Sequence, residues 1–116
     1  MSELAKRRIA ENLITKNPSL NLSFCNIANL NDISELFQCT HLEELNLWEN
    51  QISDISILKE LKSLIHLYLH SNQIRATKDL KNLTKLEQLN LQNNPIQDIP
   101  EEIYSKYDCS KAFISY

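Results

Sequence analysis

The chain has 116 residues, enough for one domain, and a formal net charge of −3 from 12 Lys plus Arg against 15 Asp plus Glu. This balance gives no general attraction to nucleic acid or anionic lipid, and no stretch approaches the ~20 apolar residues of a membrane helix. Glycine is absent. Its absence excludes the phosphate-binding loops that depend on it, and it leaves tight turns to Asn, Asp and Pro.

The cysteines and the N-terminus indicate the compartment. Cys25, Cys39 and Cys109 are odd in number and widely spaced, which excludes a disulfide framework, and no Cys-x-x-Cys pair indicates a zinc site. The first residues, MSELAKRRIAENLITKNP, lack the apolar region of a signal peptide. We therefore expect reduced, mostly buried thiols and a cytoplasmic location.

The first predicted element is an amphipathic helix over residues 3–15, inside an N-terminal cap assigned to residues 1–18. Asn17-Pro18 ends it. Its apolar residues are Ala5, Ile9 and Leu13 at four-residue spacing, with Leu4 and Ile14 alongside. We interpret the helix as a cover for the end of a core. A partner-binding or membrane-surface helix is the alternative, although its weak hydrophobicity argues against much membrane affinity.

Residues 19–99 contain an internal repeat. Three segments follow one another at an offset of 22 residues and share the form L-x-x-L-x-L-x-x-N-x-I: LEELNLWENQI (42–52), LIHLYLHSNQI (64–74) and LEQLNLQNNPI (86–96). A weaker copy, SLNLSFCNI (19–27), precedes them by 25 residues. We assign four units on this basis: 19–41, 42–63, 64–85 and 86–99.

The first half of a unit predicts a short strand followed by a turn. Leu45 and Leu47 alternate on one face, while Asn46 and Trp48 point the other way. Asn50 comes where the chain must turn, and a buried Asn can hydrogen-bond backbone groups that the turn leaves unpaired. Stacked units would align one residue from each in a structural ladder: Cys25, Asn50, Asn72 and Asn94.

The second half of a unit predicts a helical or 3₁₀ return leg, because its apolar residues recur every three positions: Ile52, Ile55, Leu58 and Leu61. The next unit departs once, with Thr77 at the position of Ile55. A single unit cannot bury its own leucines, so several must stack.

This pattern resembles that of the leucine-rich repeat family, in its class with repeats of about 22 residues. The resemblance covers roughly residues 18–99. It implies an α/β fold, a right-handed solenoid with a short parallel sheet on the concave face, a helical or 3₁₀ convex side, and helical caps at both ends. It also implies that partners bind the concave face.

Residues 100–116 form the predicted C-terminal cap. Pro100 can occupy the first position of a short helix with acidic residues in its first turn. Ile103, Tyr107 and Phe113 would then cover the exposed leucines.

The same tail carries two further similarities. The phrase N-P-I-x-x-I-P-x-E-I at 94–103 resembles the end of bacterial leucine-rich repeat arrays, including Roco-type relatives in which a GTPase domain follows. Residues 112–116, AFISY, are instead similar to the opening strand of TIR domains. The ending on Tyr116 leads us to expect a piece of a longer protein.

The strand period predicts which side chains face outward. Unit one contributes Ser19, Asn21 and Ser23, and the residues just past the four strands are Phe24, Glu49, Ser71 and Asn93. Exposed Trp and Tyr are enriched at binding hot spots, although sheets favour aromatics in any case. The predicted partner-binding residues form three columns: Glu44, His66 and Gln88; Asn46, Tyr68 and Asn90; Trp48, His70 and Gln92.

No set of residues in the sequence indicates catalysis. His66 and His70 would lie ~13 Å apart along a strand, too far to share a zinc ion. A contact between Glu44 and His66 would be a surface ion pair. Neither Cys25 nor Cys109 has a base beside it in the sequence. We therefore expect no enzyme activity, no metal and no cofactor.

The sequence thus predicts a protein–protein interaction module that binds a peptide or protein segment on its concave sheet. Nucleic acid is not an expected partner, because the columns lack Lys and Arg. A membrane or a small-molecule ligand is not expected either. The alternative is the sensor or scaffold portion of a larger signalling protein with a downstream GTPase (Roco-type) or TIR domain. The histidines would give binding a mild pH dependence.

Overall fold

A computed structural model describes residues 3–97 and 113–115 of the chain. Helix α1 spans Glu3–Thr15. It is followed by a parallel sheet in which the order of the strands in space is their order in the sequence. The strands are β1 (Ser19–Asn21), β2 (Glu44–Asn46), β3 (His66–Tyr68), β4 (Gln88–Asn90) and β5 (Phe113–Ser115). Within the described ranges, no helix is long and apolar enough to cross a bilayer.

The return legs are 3₁₀ helices, which we label η1 (Leu30–Gln38), η2 (Ser56–Glu60) and η3 (Lys78–Asn82). The prediction of a helical or 3₁₀ convex side is thereby confirmed in its 3₁₀ form, as the three-residue apolar spacing favours. η1 is longer than η2 and η3 and kinks at Ile33. The extra residues of the first unit therefore lie in its longer return leg on the convex side. The strands stay in register.

The core lies between the strands and the return legs. Each strand places its central Leu beside that of the next, so that Leu20, Leu45, Leu67 and Leu89 form one buried row. The side chains of η1, η2 and η3 close the row from the opposite side, with Leu36, Leu58 and Leu80 buried. Each unit thus buries its leucines only against its neighbours, and the α/β solenoid expected from the repeat is confirmed.

The Asn side chains after the strands join consecutive units. Asn50 Nδ2 donates to the Leu47 carbonyl of its own turn (2.9 Å) and to the Leu22 carbonyl of the preceding unit (3.0 Å). Its Oδ1 accepts from the backbone N–H of Ile27 (3.0 Å). Asn72 and Asn94 repeat this arrangement one and two units further on. Because the acceptors are backbone carbonyls, the amide specifies the spacing between turns whatever the outward side chains are.

Cys25 occupies the corresponding position in the first unit. Its thiol donates to the Ser23 carbonyl of its own turn (3.4 Å) and lies 3.9 Å from Arg8 Nη1. Its backbone N–H donates to Asn50 Oδ1 (3.0 Å). No repeat precedes this unit in the described chain, only α1, so there is no preceding turn for an amide to reach. A thiol, which donates weakly, suffices there.

Helix α1 packs on the first unit through Ala5 and Ile9, both buried. The expectation that Leu4 and Ile14 contribute to the same face is wrong, since their exposed fractions are 42% and 84%. At 100° per residue both side chains rotate off the face that Ala5 and Ile9 define.

Polar side chains hold α1 against β1. Asn12 is buried and donates to the carbonyls of Asn17 (3.1 Å) and Ser19 (3.3 Å), and its Oδ1 contacts the His41 ring. Arg8 Nη1 donates to the Asn21 carbonyl at 2.9 Å. The cap is therefore held to the first strand by hydrogen bonds as well as by apolar contact.

The turns after β1 to β4 each place the residue just past the outward column in the left-handed region, and the first turn adds a second such residue, Asn26 (φ 56°). The φ angles are 54° at Phe24, 57° at Glu49, 60° at Ser71 and 57° at Asn93. The expectation that Asn, Asp and Pro would serve the tight turns is wrong for the first three. A side chain with a Cβ in this region costs roughly 1–2 kcal/mol. The hydrogen bonds of the buried Asn side chains hold the turns in this conformation despite that cost.

The predicted cap helix beginning at Pro100, with Ile103, Tyr107 and Cys109, lies outside the described residues. Residues 113–115 form β5 and pair with β4 in parallel, with Leu89 opposite Ile114. This segment belongs to the predicted C-terminal cap, and its backbone extends the sheet by one strand.

Replacing Asn72 by Ala should lower the free energy of unfolding by about 2–4 kcal/mol, because buried backbone groups in two adjacent turns lose their partner. Urea denaturation followed by circular dichroism measures the effect. Asn82→Ala is the control, since this exposed Asn makes one bond, to the Asp79 carbonyl. Equal midpoints for the two variants would contradict the bridging role.

Replacing Ser71 by Gly should raise the free energy of unfolding by about 1 kcal/mol, because glycine adopts φ near 60° without steric cost. Ser71→Ala keeps the Cβ and should give no gain. Thermal melts of the two variants beside the unmodified chain test this. A gain with Ala as large as with Gly would show that removal of the hydroxyl, not backbone strain, is responsible.

Candidate functional site

The outward side chains of the sheet lie in the columns that the repeat predicts. Glu44 pairs in register with His66, which pairs with Gln88, and the Asn46, Tyr68 and Asn90 column lies beside it. Backbone hydrogen bonds continue past the strands, from Phe24 N to Trp48 O (3.3 Å), from Glu49 N to His70 O (3.1 Å) and from Ser71 N to Gln92 O (2.8 Å). Because of these bonds, Trp48, His70 and Gln92 stay aligned beyond the strand ends.

The Trp48 ring contacts two other rings just past the ends of the first three strands. The rings of Trp48 and His70 stack with centroids 4.9 Å apart and an interplanar angle of 12°. The Phe24 ring meets Trp48 edge-on at 4.6 Å and 73°. We call Phe24, Trp48 and His70 the aromatic stack. It contains the chain's single tryptophan.

Phe24 is the member of the stack that sequence reasoning missed. It follows the strand rather than alternating within it, so the strand period places it just past the outward column. Its left-handed backbone turns the ring back toward Trp48 and leaves 64% of the residue exposed. An apolar residue at a turn position that Glu, Ser and Asn occupy in the other units is the signal that could have identified it.

The opposite end of the columns is polar. Glu44 accepts a hydrogen bond from Ser19 Oγ (2.9 Å), and its other oxygen lies 3.8 Å from His66 Nδ1. The Tyr68 hydroxyl donates to Gln88 Oε1 at 3.3 Å. The Glu44 and His66 side chains are 42% and 36% exposed, so their contact, which is an ion pair only when the imidazole carries a proton, is weak and screened by solvent.

Burial perturbs the groups in the middle of the face. It lowers the pKa of His70 from its ordinary value, and the Glu49 carboxylate opposes that shift. Burial and the nearby Glu44 carboxylate raise the pKa of the Tyr68 hydroxyl. In the described part of the chain, His70 Nδ1 and Asn46 Oδ1 are buried and lack a hydrogen-bond partner. The centre of the face thus contains the uncharged rings of His70 and Tyr68, and two polar atoms without a hydrogen-bond partner among the described residues.

The two histidines of the face do not form a joint site. His66 and His70 contact different neighbours, Glu44 and Trp48, and do not converge. Among the described residues, no three His, Cys, Asp or Glu side chains are grouped to hold a metal ion. Burial raises the pKa of the Cys25 and Cys39 thiols, which favours the protonated, weakly nucleophilic form.

Two family models match the sequence, one described as leucine-rich repeats in two copies at residues 62–105 and one as a leucine-rich repeat at residues 38–59. Together they cover more than half of the chain. The chain belongs to the leucine-rich repeat family. Domains of this family are in general protein-interaction modules rather than enzymes. Among curated proteins, none matches the sequence significantly.

Solved structures of other leucine-rich repeat proteins are similar. An internalin (inlF) of Listeria monocytogenes shares 32% identity over 84% of this chain and 32% of its own, with a TM-score of 0.70. Internalin C2 of the same species shares 33% sequence identity. The match covers 78% of this chain and 39% of the internalin, with a TM-score of 0.69. The leucine-rich repeat ectodomain of the receptor kinase SOBIR1 of Arabidopsis thaliana shares 30% sequence identity. The match covers 70% of this chain and 47% of the ectodomain, with a TM-score of 0.55. The chain therefore spans less than half the length of each.

Trp48 fluorescence should report the protonation of His70. A protonated imidazole stacked on an indole quenches its emission, and burial places the His70 pKa below 6.5. Emission should therefore fall on acidification with a midpoint below that value. By linkage, neutral His70 favours the fold above pH 6.5, and this stability is lost as the pH falls through the His70 pKa.

A fluorescence titration of the unmodified chain and the His70→Gln variant measures this effect. The transition should vanish in His70→Gln and persist in His66→Gln, which alters the histidine paired with Glu44. An unchanged titration in His70→Gln would assign the quenching to another group.

Proposed function

We propose that this protein is an interaction module that binds a peptide or protein segment on its concave sheet face. The observation that supports this most directly is the aromatic stack, which gathers Phe24, Trp48 and His70 on the outward side of three consecutive units. Aromatic side chains contribute large contact area at low entropic cost, and they dominate binding hot spots.

The rest of the face supports a binding role through rigidity. The outward columns stand on strands whose register is fixed by backbone pairing and by the buried Asn bridges beneath. Side chains on such a base lose little freedom when a partner arrives, so more of the contact energy appears as affinity. Trp48, Tyr68 and His70 are each half-buried by their neighbours before any partner binds.

The dimensions of the face favour a short partner. Five strands spaced at ~4.8 Å give a surface roughly 20 Å across. Each strand is three residues long. A peptide segment or a single helix matches this area better than the flank of a whole domain does.

A double substitution of Trp48 and Tyr68 by Ala should abolish partner binding. Cross-linked partners of the tagged chain, recovered from cells of its source, should be retained by the unmodified chain and lost with this variant. Phe37→Ala is the matched control, because this 44% exposed aromatic lies on η1 of the convex side. Retention of the same partners by the double variant would refute concave binding.

A second variant separates binding from folding. Phe24→Ala removes an aromatic residue that is 64% exposed and should leave the melting temperature nearly unchanged. We expect it to weaken binding by about tenfold, since one exposed ring of a hot spot contributes about 1–2 kcal/mol. Unaltered affinity in a folded Phe24→Ala protein would remove this ring from the site.

A second candidate is the sensor or scaffold portion of a larger signalling protein with a downstream GTPase or TIR domain. The likeness to the repeat domain of a receptor kinase supports the sensor role alone, since in that protein the repeats are one part of a larger signalling protein. The coding sequence after Tyr116 in the source genome tests it. We also propose a reducing, cytoplasmic environment, in keeping with the free, buried thiols of Cys25 and Cys39.

A further inference from the structure

The charges on the concave face have one sign. Glu44 and Glu49 are its acidic side chains, and neither the three columns nor the turn positions just past the strands carry Lys or Arg. The basic residues of the described chain lie on α1, on the return legs and in the connecting segments. The outward positions therefore carry two acidic side chains and no Lys or Arg, and this charge complements a basic partner.

The two carboxylates lie at the start of β2 and beyond its end. Glu44 begins β2, and Glu49 lies three residues past the last residue of the strand, so that four residues separate the two, or roughly 15 Å of chain. Glu44 is held by Ser19 and His66. Glu49 lies close enough to His70 to oppose the lowering of its pKa. The carboxylates thus bracket the outward residues of β2, with the aromatic stack next to Glu49.

Between them the face offers acceptors and rings. Asn46 Oδ1 is buried and lacks a donor within the described residues. The exposed Phe24 ring lies beside Trp48 at the Glu49 end. A guanidinium group has five N–H donors and no acceptor, and it stacks on aromatic faces. Arginine matches this combination of groups better than lysine does.

We propose that the segment bound on the concave face is basic. Its Arg or Lys side chains pair with Glu44 at the start of β2 and with Glu49 in the turn after the strand, and an arginine near Glu49 also packs on the aromatic stack. The proposal rests on the proposed function and adds the chemistry of the partner. Because both carboxylates are partly exposed, the pairing confers selectivity and a faster encounter, and the rings supply most of the affinity.

Selection of random peptides displayed on phage, against the immobilised full chain, tests this proposal. Four proteins are compared: the unmodified chain, Glu44→Gln with Glu49→Gln, Glu35→Gln with Glu60→Gln, and Trp48→Ala. The Glu35 and Glu60 pair is the matched control, because it removes the same charge from exposed positions on η1 and η2.

Peptides selected on the unmodified chain should be enriched in Arg and Lys, and those selected on the control pair should be equally enriched. The enrichment should disappear with Glu44→Gln and Glu49→Gln, and the affinity of the best peptide should fall about tenfold. Its binding to the unmodified chain should also weaken as the ionic strength rises well above ~0.15 M.

The outcomes separate this proposal from the one on which it rests. Peptides that depend on Trp48 but show no basic excess overturn the basic-partner proposal and leave concave binding intact. The same holds if the basic excess survives loss of both carboxylates. If no selected peptide depends on Trp48, both proposals fail.

Discussion

The fold depends on one hydrogen-bonding constraint, the need of each turn after a strand to satisfy its buried backbone groups. A turn that is open to water could solvate its carbonyls, but here the turns are stacked and the groups point inward. A single Asn amide carries both a donor group and an acceptor, so Asn50 serves its own turn and the preceding one together. Because one amide group bonds both turns, its size sets the distance between them. The strand register, the leucine rows and the outward columns all follow from that spacing.

The same constraint explains how the chain forms its turns without glycine. The backbone of Glu49 is forced into the left-handed region because Asn50 must point inward while Trp48 points outward. The identity of the left-handed residue is then free to vary, and the four units use Phe, Glu, Ser and Asn. This freedom has a consequence for the site, because a turn position can contribute a ring or a charge to the concave face.

The parts of the structure that could be predicted are those that repeat. The recurring leucines and Asn residues predict the strands and ladder positions, and the strand period predicts the columns from Glu44 to Gln92. What could not be predicted depends on a single copy. Asn12 is buried where it donates to the carbonyls of Asn17 and Ser19 at the entry to β1, and no period marks a polar residue on an apolar helix face. Phe24 joins Trp48 through a backbone angle that its residue type does not favour. The pairing of residues 113–115 with β4 needs a contact distant in sequence.

The hydrogen bonds from α1 to β1 also bear on how two copies of this protein can meet. The free side of an outermost strand is a template for another chain, and parallel sheets offer such a side at each end. Here the Arg8 guanidinium and the Asn12 amide already occupy the outward carbonyls of Asn21 and Ser19. A second copy could add a strand beside β1 only by displacing both side chains. The N-terminal cap therefore obstructs the addition of a strand beside β1, and this obstruction comes from two polar residues of a helix that otherwise resembles an ordinary apolar cover.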